Sequence, residues 1–130
     1  MFTLAVKDFV MIAHSLRGSE FGPAQNVHGA TLATTAELRV KALSPLDIVV
    51  DIGLFKKELR RVLERIDYQN LDSHAAFQKH RSTTERIAQF VADELASVLL
   101  GLGLDPESAL RVVVDESPVA WVAFERPLRR

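Results

Sequence analysis

From Leu32 to Ala42 the even positions (Leu32, Thr34, Ala36, Leu38, Val40, Ala42) are mostly apolar, while Glu37, Arg39 and Lys41 take odd ones. A period of two is that of a strand with one buried face. Residues Thr3 to Ala13 read as its partner. The connection from Ser15 to Val27 carries Gly18, Gly22 and Pro23; it is too long for a tight hairpin and of a length often given over to function. Beyond Pro45 the spacing changes to threes and fours. Ile52, Phe55, Leu59, Val62, Leu63 and Ile66 follow Asp51, which can cap a helix. Ser82-Thr83-Thr84-Glu85 has the spacing of a capping box ahead of Ile87, Phe90, Val91, Leu95, Val98 and Leu99, and Gly101 stops this second helix. Leu110 to Asp115 and Val119 to Phe124 are rich in β-branched residues and flank Glu116-Ser117-Pro118, which predicts a closing hairpin. The order ββααββ makes an α+β fold, an antiparallel four-stranded sheet with two helices on one face. The other face is left bare, so the chain is expected to form a homo-oligomer whose sheets join edge to edge or wrap a shared interior.

With 130 residues, 48% of them hydrophobic, the chain is long enough for one cored domain spanning 1–130 and too short for two. Sixteen Lys and Arg against 17 Asp and Glu leave a net charge of −1, with the cations scattered. No basic stripe exists to neutralise phosphates, so no nucleic acid partner is expected. No apolar run approaches the roughly 20 residues of a spanning helix, and the chain does not open on a charged and then apolar leader, so no membrane partner is expected and the expected location is cytoplasmic. The absence of cysteine excludes disulfides, thiolate nucleophiles, cysteine zinc sites and iron–sulfur clusters. A transition metal would have to use His14, His28, His74 or His80 with carboxylates, and the last two, six apart in a loop, do not have a ligand spacing.

Ala13-His14, Asn26-Val27-His28-Gly29-Ala30, Asp47-Ile48-Val49-Val50-Asp51, Ile66-Asp67-Tyr68-Gln69-Asn70-Leu71-Asp72, Ser82-Thr83-Thr84-Glu85 and Val114-Asp115-Glu116-Ser117 occur in order along nearly the whole chain. The series resembles the family of 6-pyruvoyltetrahydropterin synthase and QueD (6-carboxytetrahydropterin synthase), enzymes of carbon–oxygen lyase type tied to tetrahydrobiopterin or queuosine. The resemblance implies the tunnelling fold (T-fold), in which subunits form a ring-shaped barrel, usually a homohexamer of two stacked trimers, with pterin pockets at subunit interfaces. It implies that Glu116 grips the 2-amino and N3–H edge of a pterin-like or guanine-like heterocycle through two parallel charge-assisted hydrogen bonds. Thr83 and Thr84 match positions that hold the heterocycle, although both also read as an ordinary first helical turn. Lys79, His80 and Arg81, just before that helix, either approach the pocket or are solvated.

The chemistry the family performs is depleted. Its zinc ligands are a histidine on the first strand and a His-Gly-His on the second, since residues two apart on a strand share a face. Here His14 and His28 match two of them, and Ala30 replaces the third. Zinc is the family's cofactor, but none is expected here unless a carboxylate or His74 supplies the missing donor. The family's cysteine corresponds to Ala24. Its Leu-Asp-His corresponds to Ile66-Asp67-Tyr68, which keeps the aspartate and replaces the histidine by a phenol, a poor proton shuttle at neutral pH. Ordinary synthase activity is therefore expected to be absent. Three readings stay open: a divergent pterin-binding homologue, a metal-independent lyase or aldolase-like enzyme drawing on Asp67, Tyr68, Glu116, Lys79 or His80, and a non-catalytic structural or regulatory oligomer.

Overall fold

The computed structural model describes residues 1–130. Strand β1 (Phe2–His14) lies antiparallel to β2 (His28–Val40) in one unbroken register that sets Phe2 opposite Val40 and His14 opposite His28. β2 also pairs with β4 (Ala109–Ser117), which turns back through Pro118-Val119 into β5 (Ala120–Pro127). The alternation predicted for residues 32–42 starts four residues earlier and ends two earlier in the structure. The expectation of a four-stranded antiparallel sheet needs correction, because a fifth strand, β3 (Gln69–Asn70), runs parallel to β1 and makes the sheet mixed, in the order β3-β1-β2-β4-β5. Two polar residues carry no hydrophobic period. They pair because the chain leaving the first helix returns to the sheet edge, where Tyr68 N–H donates to Met11 O at 2.7 Å.

Helix α1 (Ile52–Glu64) begins on Asp51, whose carboxylate accepts from Leu54 N–H at 2.7 Å. Helix α2 (Thr84–Gly101) is capped by Thr83, which accepts from Arg86 N–H at 3.3 Å. The predicted capping box is thus out by one residue, because Ser82 turns inward to His14. Gly101 is the last helical residue, as its weak helix propensity suggests. Both helices lie on one sheet face, where Phe55, Leu59 and Leu63 of α1 and Ile87, Val91, Leu95 and Leu99 of α2 are buried with Val10, Leu38, Leu110 and Val112. On the opposite face Phe9, Met11 and Trp121 are exposed. No helix is long and apolar enough to cross a membrane.

One irregularity in the sheet places a functional side chain. Asp115 pairs with Trp121 and Ser117 with Ala120, so Glu116 is an extra residue on β4. A bulge of this kind takes one residue out of the alternation and re-aims its side chain.

Candidate functional site

Where β1 and β2 end beside the start of α2, the sheet, the Ser15–Val27 connection and the helix N-terminus enclose a cavity of about 540 Å³. Its floor is built by strand register. His28, Ala30 and Leu32 alternate onto the helix-facing side of β2, and His14 sits across from His28 on β1. The two imidazoles meet edge to face with ring centroids 4.6 Å apart. Leu16, Phe21 and Ala24 line it from the connection, which folds as a 3₁₀ turn over Ser19–Gln25 closed by Leu16 N–H donating to Ala24 O at 2.9 Å. Thr83, Thr84 and Glu85 line it from α2, and Glu116 enters from the β4 bulge with one carboxylate oxygen accepting from the Thr84 hydroxyl.

Each histidine is held by its Nδ1. That of His14 lies 2.8 Å from the Ser82 carbonyl and 3.1 Å from Ser82 Oγ, and that of His28 lies 2.8 Å from the Asn26 carbonyl. Burial, helped by the neighbouring His28, keeps the His14 imidazolium less favourable than usual, against the opposing pull of the Ser82 carbonyl, Asp72 and Glu116. The folded state therefore binds fewer protons at His14 than the unfolded chain does. Its contribution to stability is complete above about pH 6.5 and declines as pH falls below that value. Urea midpoints measured between pH 7.5 and 5 are expected to fall on the acid side, and a flat profile would remove this assignment. The carboxyl of Asp72 is opposed by desolvation, yet the Ser15 hydroxyl at 2.7 Å and the Ser15 N–H at 3.0 Å hold it below the usual carboxylate range, so its own contribution is lost only below about pH 4.

No three histidine, aspartate or glutamate side chains gather where one ion could reach them. The donor set at the floor is two imidazoles with Ala30 in the next position, one short of the three protein ligands of an open zinc site.

A family model described as 6-pyruvoyl tetrahydropterin synthase matches residues 3–127. The chain belongs to this family. A Caenorhabditis elegans sequence is 27% identical over 128 residues, 89% of each chain. The structure of Caenorhabditis elegans 6-pyruvoyl tetrahydropterin synthase matches with a TM-score of 0.81 at 26% identity, covering 96% of this chain and 95% of that one. The Plasmodium vivax 6-pyruvoyltetrahydropterin synthase shares the fold with a TM-score of 0.75 at 19% identity over 97% of this chain and 98% of its own.

Within this 6-pyruvoyl tetrahydropterin synthase fold, the cavity brings together His14, His28, Ala24, Ala30, Thr83, Thr84 and Glu116. Asp67 and Tyr68 are not among its lining residues. Asp67 accepts from Met11 N–H at 2.9 Å through Oδ1 and from Arg60 Nη2 at 2.5 Å through Oδ2, while Arg60 also donates to the Phe9 carbonyl at 3.1 Å and approaches Asp8 at 3.4 Å. These contacts close the outer edge of β1 from Phe9 to Met11. Tyr68, held at φ 58 beside that clamp, is 80% exposed. Asp67→Ala strands the Met11 N–H and the Arg60 guanidinium, and is expected to lower stability by about 2 kcal/mol and the melting temperature by several degrees. Thermal unfolding checks this; an unchanged transition would free Asp67 for a purely chemical role.

His74 cannot supply a third ligand as placed, because its Nε2 lies 3.0 Å from the Arg65 carbonyl and its Nδ1 accepts from Ala76 N–H at 3.1 Å. Lys79, His80 and Arg81 open with Arg17 and Arg86 onto an adjoining hollow of about 440 Å³ that shares Phe21 and Thr83 with the cavity. Leu16, Phe21 and Leu32 line the cavity without being site candidates in the sequence, and Glu85 stands there only as part of the capping motif. Leu32 was within reach, being in phase with His28 and Ala30. Leu16 and Phe21 belong to an irregular connection with no period to reveal them.

Proposed function

We propose that this chain binds a pterin, or another heterocycle with a guanidine-like donor edge such as guanine, and does not run the ordinary synthase reaction. The observation that carries this reading is the placement of Glu116. The bulge turns its carboxylate into a cavity of suitable size, and the Thr84 hydroxyl holds one oxygen. A carboxylate so fixed can accept two parallel N–H bonds, the pattern that an amino-pyrimidinone edge presents. Free backbone N–H groups at the start of α2, beside Thr83 and Thr84, add donors for ring oxygen or nitrogen.

The reaction is a separate matter. Ala24 offers no thiol, Ala30 no metal ligand, and Tyr68 stands where the family's histidine is expected. We infer that zinc is not a resident cofactor, since two imidazoles fall one donor short. We further propose, from the family resemblance, a homohexamer of two stacked trimers; the sheet face opposite the helices, which carries Phe9, Met11 and Trp121 into solvent in the single subunit, supports self-association. Metal analysis of the purified protein, light scattering, and calorimetric titration with neopterin, biopterin and guanine test these statements together. Stoichiometric zinc would overturn the metal reading, a monomer the assembly, and an absence of binding would leave a structural oligomer as the better account.

A further inference from the structure

Along the chain the cations are scattered, but the fold gathers several of them. Every arginine is ion-paired to a carboxylate except Arg17, Arg81, Arg86 and Arg130, and the first three of these line one hollow of about 440 Å³ together with Lys79 and His80. Asp72 and Glu20 act on Arg17 and Arg81 only at longer range, because both Asp72 oxygens are taken by Ser15 and Glu20 accepts from its neighbour Ser19.

Two segments 64 positions apart make this arrangement, tied by Arg81 Nε, which donates to the Arg17 carbonyl at 2.5 Å. The Arg81 guanidinium also lies over the Phe21 ring, 5.6 Å from its centroid, and Arg86 Nη1 donates to Gln89 Oε1 at 2.9 Å. Two of these guanidinium groups are thus ordered before any anion arrives, which lowers the entropy cost of binding.

The five basic side chains of the hollow are all exposed. A site for one small anion encloses the charge away from water. Here the cations stand side by side at the surface, a layout suited to successive charges on an extended segment, and the planar fork of arginine matches a carboxylate. Nucleic acid is served less well, because single strands need free aromatic faces for stacking and the one ring here is already taken by Arg81.

We propose that this hollow is a docking surface for an acidic peptide segment of a partner protein, whose Glu or Asp carboxylates pair with Arg17, Arg81 and Arg86. The inference does not depend on the heterocycle reading. Phe21 and Thr83 belong to both the hollow and the cavity, so a docked segment lies directly beside the cavity.

The test is fluorescence anisotropy of labelled hexaglutamate titrated with the full chain at low salt, where exposed charges are least screened. Hexaglutamate is expected to bind and hexaglutamine not. Arg17→Glu combined with Arg86→Glu leaves the Arg81 tie in place and is expected to weaken binding about tenfold, since two attractions become repulsions. Lys56→Glu combined with Lys57→Glu, the same change of net charge at exposed positions of α1, is expected to weaken it by less than about threefold. An equal loss in the two double variants overturns the inference, because overall charge alone would then govern binding, and so does hexaglutamate that fails to bind the folded protein. Tighter binding of a six-nucleotide single-stranded DNA, or displacement of the label by tripolyphosphate at much lower concentration than by unlabelled hexaglutamate, overturns it in favour of nucleic acid or a small phosphate ligand.

Discussion

Glu116→Ala is expected to weaken pterin binding by at least about a hundredfold while shifting the melting temperature by no more than a few degrees. A hydrogen bond to a charged group contributes about 1.5–3 kcal/mol net. Two of them in parallel therefore account for at least about 3 kcal/mol, which is about a hundredfold or more in Kd. The apolar part of the lining, Leu16, Phe21, Ala24, Ala30 and Leu32, offers the ligand no replacement acceptor. The fold should be nearly indifferent. Glu116 is the extra residue of the β4 bulge, and the one contact it makes, with the Thr84 hydroxyl, can pass to solvent. Glu116→Gln separates charge from shape, since it preserves the volume but turns an amide NH₂ towards the ligand's own donors. Its affinity should fall nearly as far as that of the alanine variant. Titrations in which the alanine variant stays within about threefold of wild type would reduce Glu116 to a hairpin residue.

What the sequence reveals depends on whether a feature has a period. The floor of the cavity was readable because His28, Ala30 and Leu32 obey the strand alternation, and α1 and α2 were readable because their apolar positions recur at helical spacing over several turns. Glu116 could be matched as a residue, but its direction could not be read, because it depends on one extra residue in the pairing of β4 with β5. β3 was invisible for a related reason: two polar residues are held by pairing with β1, more than 50 positions away in the chain. Ser82 is the most instructive displacement. Its local sequence favours a cap, but a buried imidazole needed a carbonyl and a hydroxyl, and that tertiary demand moved the cap to Thr83. Asp67 reads as a relay residue by position, while the structure commits both of its oxygens to β1 and Arg60.

Ala30→His is expected to raise zinc affinity by more than about a hundredfold over wild type and to bring it to one ion per chain. Position 30 lies two residues from His28, on the same face of β2, with His14 across the register from His28. Both existing imidazoles already donate Nδ1–H to backbone carbonyls, which is how metal-bound histidines are usually oriented, and both leave Nε2 free. The missing element is thus a third donor, not the arrangement of the first two. Losing even an outer partner of a metal ligand typically costs ten- to a hundredfold in affinity, so gaining an inner ligand should exceed that. Competition against a chelator of known affinity measures the change. An affinity no better than wild type would mean that the floor does not let three imidazoles converge. Turnover is not expected from Ala30→His alone, because the resemblance also implies a thiol at position 24 and an imidazole at position 68. If zinc uptake comes with Ala30→His while turnover appears only when Ala24→Cys and Tyr68→His are added, metal and proton relay were lost at separate positions on a scaffold that still holds the geometry for both.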